Sequence, residues 1–573
     1  MGRTRLDGNA PILVAKASTS DLDPMGRTPM AFLQEGPQLA HPWHDERLLH
    51  ALLDRTLPAS RRAVLDADLA ALGDYAQMAW QRVTETTRRK PVLTRWDAWG
   101  RRVDRIELTA AWQEGPHLTT RHAVLAAGHA PGEYARLEEF ARVYLYHVAS
   151  EFYTCPLAMT DGAATAIKAS GNAALIERAL PHFLSRDPAQ FWLSGQWMTE
   201  NIGGSDVSHT ETVARRDGDG QWRLHGRKWF SSAVVGEAAL ALARPEGASE
   251  GNAALALFYV ETMDGDRRKP ELIIDRLKDK LGTQELPTAE IHLDGLPAWP
   301  VGELAHGVRQ VAPMLNVTRT WNAVCAVASM ARAISLARDY ATRRQAFGRP
   351  LIEQPLHAQT LADMQAEFEG AFALAFEVAH LLGRVENGAA HEAALLRLLT
   401  PLVKLWTGKL AVKLCSEALE SFGGAGYIED TGLPQLLRDA QVYPIWEGTT
   451  NVLSLDSLRA LAGEGFAALR MAVDDWLADG DDAAAAAAIT GALDAAAAYL
   501  DRHGADRASL EAGARGLAFT LARCAAAALL ARQAAWSARR GERRPGAALR
   551  RFVGHGLDRL MVPDAEDTGL LLE

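Results

Sequence analysis

A chain of 573 residues is too long for one hydrophobic core, so two to four domains are expected. With 48% apolar and 23% charged residues and a net charge of −10, it reads as a globular protein whose overall field excludes general nucleic-acid binding, leaving only a local patch. The four cysteines, Cys155, Cys325, Cys415 and Cys524, are far apart and show no CxxC spacing, so no disulfide framework and no metal site is expected, and a reducing, cytoplasmic setting fits.

The first thirty residues contain acids and no apolar core, so a secretory signal is not expected. The tetrapeptide MGRT occurs at both Met1 and Met25; a second start site or an expression scar would each account for it. No apolar run approaches about 20 residues, and no membrane span is expected. Residues 30–190 alternate helical periodicity with short polar breaks, as in "HDERLLHALLDRTL" and "YARLEEFARVYLYHVASEFY". From Phe191 the chain becomes β-rich and Gly-punctuated, with "DGDGQW" as a hairpin turn. Helical periodicity returns near Gly307 and runs through "ASMARAISLARDYATRR" and "LTPLVKLWTGKLAVKLCSEALESF". After Leu461 the chain is alanine-rich helix, including Ala483–Ala488. Segregated helices and strands predict an α+β architecture with domains at 1–190, 191–305, 306–460 and 461–573.

Four segments have the residue types of chemistry. "QWMTENIGGSDV" runs from Met198 and Thr199 into Gly203, Gly204 and Ser205; it is either a polar loop or a place where backbone approaches a ligand closely, and it lacks the Rossmann strand–GxGxxG–helix unit. "HGRKWFSSA" sets Trp229 and Phe230 beside Ser231 and Ser232, as a strand with one buried face or as an aromatic wall with a hydroxyl donor. "RRQAFGRPL" clusters arginines around Phe347 and Gly348, at a helix end or against a diphosphate. "YPIWEGTTN" places Glu447 after an apolar run and before a helix, as a helix-start acid or as a base in an apolar cleft. Further on, Arg532, Arg539, Arg540, Arg543, Arg544, Arg550 and Arg551 face only Glu542 in the same stretch, while Asp474, Asp475, Asp479, Asp481 and Asp482 lie upstream. That run reads as a solvated face, an intersubunit contact or a phosphate-backbone site.

In order and spacing, "WMTENIGGSDV", "HGRKWFSSA", "RRQAFGRPLIEQP", "SFGGAGYIED" and "LLRDAQVYPIWEGTTN" together resemble the acyl-CoA dehydrogenase family. "RLKDKLG", "KWFSS", the "EQP" tripeptide, "RRKPVLTRWDAWGRRVDRIELTAAW" and the extra C-terminal helices are most similar to its AidB-like, alkylation-response branch. The resemblance implies an N-terminal α-helical domain, a middle β-barrel-like domain and a C-terminal four-helix bundle plus a helical appendage. It implies FAD between the β domain and the bundle, with Met198, Thr199, Gly204, Ser205, Trp229, Phe230, Ser231 and Ser232 near the flavin. Arg344, Phe347, Glu420, Gly423 and Gly424 are implied to reach the FAD of a neighbouring subunit in a homotetramer, and Thr449 and Asn451 to touch the cofactor at a helix start. Glu447 is implied to be the base that takes the α-proton of an acyl-CoA; "NVTRTWNA", where some members carry the base, offers Thr318 and Arg319 and no carboxylate. The implied partners are an acyl-CoA, an electron-transfer flavoprotein and, through Arg539, Arg540, Arg543 and Arg544, duplex DNA. Phe230, Glu420 and Pro355 depart from the family's usual Trp, Gln and Gln.

Overall fold

Residues 35–85, 89–561 and 564–573 are described by the structure, a computed structural model; the repeated MGRT lies outside them. From Gln38 onward the chain packs as one unit.

The N-terminal part contains α1 (Arg47–Thr56), α2 (Ala59–Glu85), α3 (Ala110–Arg121), α4 (Ala135–His147), α5 (Thr154–Ser170) and α6 (Ala173–Phe183). Helix α4 buries Leu137, Phe140, Tyr144 and Leu145 at the spacing that puts side chains on one helical face. It also buries Arg136, whose guanidinium reaches Asp161 of α5 (2.8 Å) and Glu386 (2.7 Å). A buried cation with several carboxylate partners is costly to break, so this cluster fixes how the N-terminal helices dock.

Between α2 and α3 lies a hairpin, β1 (Val92–Trp96) and β2 (Arg102–Glu107). The helical reading of 30–190 misses it, because two short strands with mostly charged outer faces leave little periodicity to see. In space the hairpin joins the strand domain. Leu93 and Ile106 pack on the barrel core. Asp104 accepts from the Ile274 N–H (3.1 Å), and Arg102 donates to the Ile274 carbonyl (2.7 Å).

The middle domain has β3 (Ser194–Trp197), β4 (Val213–Arg216), β5 (Trp222–Ser232), β6 (Ala238–Pro245), β7 (Ala256–Glu261), the two-residue strands β8 (Met263–Asp264) and β9 (Arg267–Arg268), β10 (Leu272–Leu277) and β11 (Thr288–Pro300). The long β11 closes a ring. Thr288–Ala298 pairs with β5, and its end, Ala298–Pro300, pairs with β7. Strand β7 then pairs with β6, β6 with β4 in parallel, and β4 with β5. Closure leaves these strands without free edges, and Leu224, Phe258, Ile291 and Leu293 fill the interior. The hairpin turn expected at "DGDGQW" joins β4 to β5, with Gly220 at φ +87°.

The C-terminal bundle is α7 (Gly307–Arg343), α8 (Pro355–Glu386), α9 (Ala393–Ser421) and α11 (Thr450–Leu461), with a small hairpin, β12 (Gln345–Ala346) and β13 (Arg349–Pro350), after α7 and a short α10 (Pro434–Ala440) before α11. The appendage adds α12 (Gly465–Leu477), α13 (Ala483–His503), α14 (Arg507–Ala538), α15 (Arg544–Gly554) and α16 (Ala565–Leu572). Against the expectation from apolar runs, α13 and α14 are both long and apolar enough to cross a membrane by length and composition. Their hydropathy comes largely from alanine. In α14 those alanines, Ala525–Ala528 among them, are buried and let it pack closely on α8, α9 and α11. Arg523 of α14 also pairs with the buried Glu367 of α8 (2.8 Å).

Barrel and bundle meet at a tight seam. The Thr283 N–H donates to Asp439 (2.6 Å), and a Cβ on Gly282 would overlap the Arg438 carbonyl.

Candidate active site

The segment that holds Glu447 is fixed from both sides. Tyr443 is fully buried, with its hydroxyl bonded to His147 Nε2 (2.6 Å) and Ser329 Oγ (2.7 Å). Burial holds the His147 imidazole down to about 3, so it acts as a neutral hydrogen-bonding group. Trp446 Nε1 donates to the Asn322 amide oxygen. On the far side Thr449 is the N-cap of α11, its hydroxyl facing the Val452 N–H (3.5 Å). Glu447 therefore lies two residues before the cap and outside the first turn of α11, so it does not serve as the cap itself.

Glu447 sits at φ +54°, in the left-handed region that L-residues rarely occupy, followed by Gly448 at φ +101°. Two cations, Lys404 buried and Arg319 partly so, hold that backbone. Arg319 Nε donates to the Glu447 carbonyl (3.3 Å), and Lys404 Nζ donates to the Gly448 carbonyl (2.5 Å). Arg319 is itself held by Asp456 (2.8 Å), which also pairs with Arg397 (2.6 Å). Lys404 is completely buried, and desolvation holds its ammonium down to about 7 against the pull of Glu447. On the side chain, Thr318 Oγ1 donates to Glu447 Oε2 (2.7 Å), while Oε1 has no hydrogen-bond partner among the described residues.

Glu447 faces a cavity of about 570 Å³ between the barrel and the bundle. Met198, Thr199, Gly204, Ser205, Phe230, Ser232 and Thr449 line the same cavity, although they come from three separate stretches of sequence. The Trp229 N–H donates to the Thr199 carbonyl (2.9 Å), which registers the end of β5 against the loop after β3. Gly204 folds onto Thr199 so closely that a Cβ would lie 2.8 Å from its methyl group. Ser232 Oγ bonds Thr288 Oγ1 (3.1 Å). Lys280, whose ammonium is held down to about 8 by burial, lines the cavity and donates to the Leu286 carbonyl (2.7 Å) and Thr288 Oγ1 (3.0 Å). Cys155 also lines it, and burial pushes its thiol up to about 12, so it is no nucleophile.

These residues fit a large, flat, partly polar cofactor. The cavity is lined by apolar and aromatic side chains with a few polar groups, and Gln196 Oε1 lines it while buried with no hydrogen-bond partner. The other expected residues lie elsewhere. Trp229 is covered by Lys278, whose Nζ is 3.6 Å from the ring centroid, and the Ser231 hydroxyl is buried away from the cavity. Arg344, Phe347, Glu420, Gly423 and Gly424 do not line the cavity, and Phe347 is 96% exposed at φ +51° in the turn between β12 and β13. Asn451 is exposed and meets Arg515 of α14 (3.4 Å).

The arginine run is largely paired within the chain. Arg532 meets Glu377 (2.5 Å), Arg539 meets Asp479 (3.5 Å), Arg544 meets Glu369 (3.3 Å), Arg550 meets Asp482 (3.9 Å) and Arg551 meets Asp363 (2.6 Å). Arg540 stacks on Trp536, 3.7 Å from the ring centroid. Sequence reasoning did not pick out Lys404, Lys280 or the clamp formed by Arg319. Lys404 lies in α9 with Lys409 and Lys413, and a lysine on an amphipathic helix reads as an exposed position.

Residues 305–462 match the acyl-CoA dehydrogenase C-terminal domain, residues 195–296 the middle domain of the same enzymes, and residues 36–188 the N-terminal domain of the adaptive response protein AidB. Acyl-CoA dehydrogenase family member 11 of Caenorhabditis elegans is 43% identical over 76% of this chain and 72% of its own length. Putative acyl-CoA dehydrogenase AidB of Escherichia coli is 35% identical over 65% of this chain and 69% of its own. The crystal structure of Caenorhabditis elegans ACDH-11 in complex with C11-CoA superposes with a TM-score of 0.87 and 39% identity, covering 91% of this chain and 92% of that one.

Proposed function

We propose, on the premise that the chain belongs to the acyl-CoA dehydrogenase family of FAD-dependent oxidoreductases, that Glu447 takes the α-proton of an acyl-CoA bound in the cleft and that the product is the 2,3-enoyl-CoA. The observation that carries this reading is a single carboxylate facing the cavity, bonded by Thr318, on a backbone held by Arg319 and Lys404, with no second acid at Thr318–Arg319. FAD, when bound, supplies the acceptor for the β-hydride. Met198, Thr199, Gly204, Ser205, Phe230, Ser232 and Thr449 are the residues that would hold it.

The chain's own work is positional and electrostatic. A thioester α-C–H is very weakly acidic, so the base must be aimed at it before substrate arrives. The clamp on the Glu447–Gly448 backbone does this by holding a left-handed geometry that the free chain would leave. Apolar walls such as Phe152, Met159 and Leu315 exclude water, and burial by substrate favours transfer of the proton to the carboxylate. The C11-CoA held by the Caenorhabditis elegans relative supports an acyl-CoA as the substrate here. Anaerobic mixing of the FAD-loaded protein with a panel from butyryl- to palmitoyl-CoA should bleach the flavin absorbance with at least one member. No bleaching with any of them would sink the dehydrogenase reading. Reoxidation of the reduced protein should be faster with an electron-transfer flavoprotein than with air; the reverse order would make it an oxidase.

We also propose a homotetramer. Phe347, Leu356 and Tyr427 are exposed by 96%, 81% and 90%, as apolar residues destined for a subunit boundary would be. Arg344→Ala should weaken FAD retention and assembly together, and light scattering that finds an FAD-loaded monomer contradicts this. The alternative of a DNA-associated flavoprotein of the alkylation response is supported by the AidB likeness. It draws on fewer free cations than the arginine count suggests, because only Arg540 and Arg543 of its four arginines lack a carboxylate partner among the described residues.

A further inference from the structure

A second cavity, of about 600 Å³, shares no lining residue with the cleft. Its walls are the segment 39–48, α4, the later turns of α7, α8 and the first residue of α15. Leu39, Pro42, Leu145, Ile334 and Phe368 supply apolar surface. Four arginines line it: Arg47 at the start of α1, Arg332 and Arg338 on α7 and Arg544 on α15. Arg332 is buried and donates to the Val148 carbonyl (2.8 Å), which leaves the guanidiniums of Arg47, Arg338 and Arg544 to face a ligand. They belong to separate helices and are brought together only by the fold.

The carboxylates nearby are already engaged. Glu46 accepts from the Tyr144 hydroxyl (2.7 Å) and the Leu48 N–H (3.1 Å), and Asp45 accepts from the His41 N–H (2.8 Å). Glu369 shares one oxygen between Gln365 (2.9 Å) and Arg544 (3.3 Å). Burial raises both Glu46 and Glu369, which weakens them as counter-charges. The guanidiniums of Arg47 and Arg338 have neither a hydrogen bond nor an ion pair among the described residues. Burial lowers the Arg338 guanidinium, and the charges of Arg544 and Arg47 add to this against the pull of Glu46 and Glu369. Like charges gathered at a concave site, two of them with no carboxylate in direct contact, are unfavourable unless an anion completes the arrangement.

We propose that this cavity binds a small phosphorylated anion, with Arg47, Arg338 and Arg544 on its phosphoryl oxygens. Planar guanidinium forks match phosphoryl geometry, and three of them suit a ligand with more than one negative charge. The volume admits a mononucleotide and excludes a duplex, so Arg544 serves a different ligand from the one its place in the arginine run suggests.

Isothermal titration of the full-length, FAD-loaded protein at low salt tests this, because the flavin's own diphosphate seat is then filled. The probes are pyrophosphate, ADP and citrate. Saturable binding of pyrophosphate or ADP at one site per protomer is expected, with citrate much weaker. ADP tighter than pyrophosphate points to a nucleotide, and equal affinity to the phosphoryl groups alone. Arg338→Gln and Arg544→Gln should each weaken binding by about tenfold or more, the loss of a charged hydrogen-bonding partner. Ala331→Leu keeps every arginine and narrows the cavity from α7; it should weaken binding too, which covers the case in which an arginine variant folds poorly. Arg540→Gln, outside the cavity, should change nothing, and flavin reduction by acyl-CoA should be the same in all four variants. The proposal is overturned by no saturable binding of either phosphate probe at millimolar concentration, by citrate binding as well as pyrophosphate, or by Arg338→Gln and Ala331→Leu both binding like the parent protein.

Discussion

At Glu447 the fold isolates one charge; along α14 and α15 it neutralises most of those it has. The Glu447 carboxylate is steadied by a hydroxyl, and the two nearby cations bond to backbone carbonyls instead of forming an ion pair with it. In the appendage, Arg532, Arg539, Arg544, Arg550 and Arg551 each find a carboxylate, two of them among the upstream aspartates. A lone acid in an apolar stretch and a dense basic run are equally conspicuous in a sequence. The difference teaches that reactivity follows from what a charge is not paired with, which depends on packing between distant segments.

The sharpest way to break the comparison is Glu447→Gln. The amide keeps the shape and cannot take the proton, so flavin reduction by acyl-CoA should fall by about 10²–10⁴-fold or more while FAD stays bound. Stopped-flow bleaching at the parent rate would remove Glu447 from the chemistry.

Lys404→Met comes next, since it removes the clamp and leaves the base. Misplacing a reacting group by a small distance can cost about 10²-fold, so a fall of roughly 10–100-fold in the reduction rate is expected, with Glu447 intact. The same variant has a stability signature. Lys404 titrates at about 7 in the fold and at about 10.4 in an unfolded chain. Between those values the unfolded chain binds the extra proton, so through this group stability rises with pH, and below the lower value the full cost of burying the ammonium is felt. The urea midpoint of the parent protein should therefore climb more steeply than that of Lys404→Met between pH 7 and about 10. Parallel curves would mean that Lys404 is not buried with a lowered affinity for its proton.

The smallest effect is expected at the arginine run. Four free arginines on phosphates would give a log–log salt slope of about −3.6 for duplex DNA, whereas Arg540 and Arg543 alone would give about −1.8. Fluorescence anisotropy across a salt series distinguishes the two, and the steeper slope would show that the pairs with Asp479 and Glu369 open on binding.

Much of the candidate site was legible in the sequence because it is built from short contiguous motifs. Met198, Thr199, Gly204 and Ser205 reach the cavity as one loop, and Glu447 and Thr449 as another. What was not legible depends on helices passing one another. Lys404 finds Gly448 forty-four residues away, and Arg319 reaches the Glu447 carbonyl from a different helix. The hairpin of β1 and β2 escaped because its partner, Ile274, is far along the chain. Arg544 reads as part of a basic run, yet its neighbours at the second cavity are Arg47 and Arg338 from helices that the run never touches in sequence.

The seam at Gly282 bears on the kinetics of the cleft. With Gly282 close against the Arg438 carbonyl and Thr283 tied to Asp439, the seam resists a swing of the barrel toward the bundle. The expected consequence is a cleft whose width is set before substrate arrives. Ligand capture should proceed in one step, with the observed rate of binding linear in acyl-CoA concentration and free of a lag. A side chain at residue 282 would act as a wedge, widening the gap between the two walls and relaxing the size limit on the acyl group.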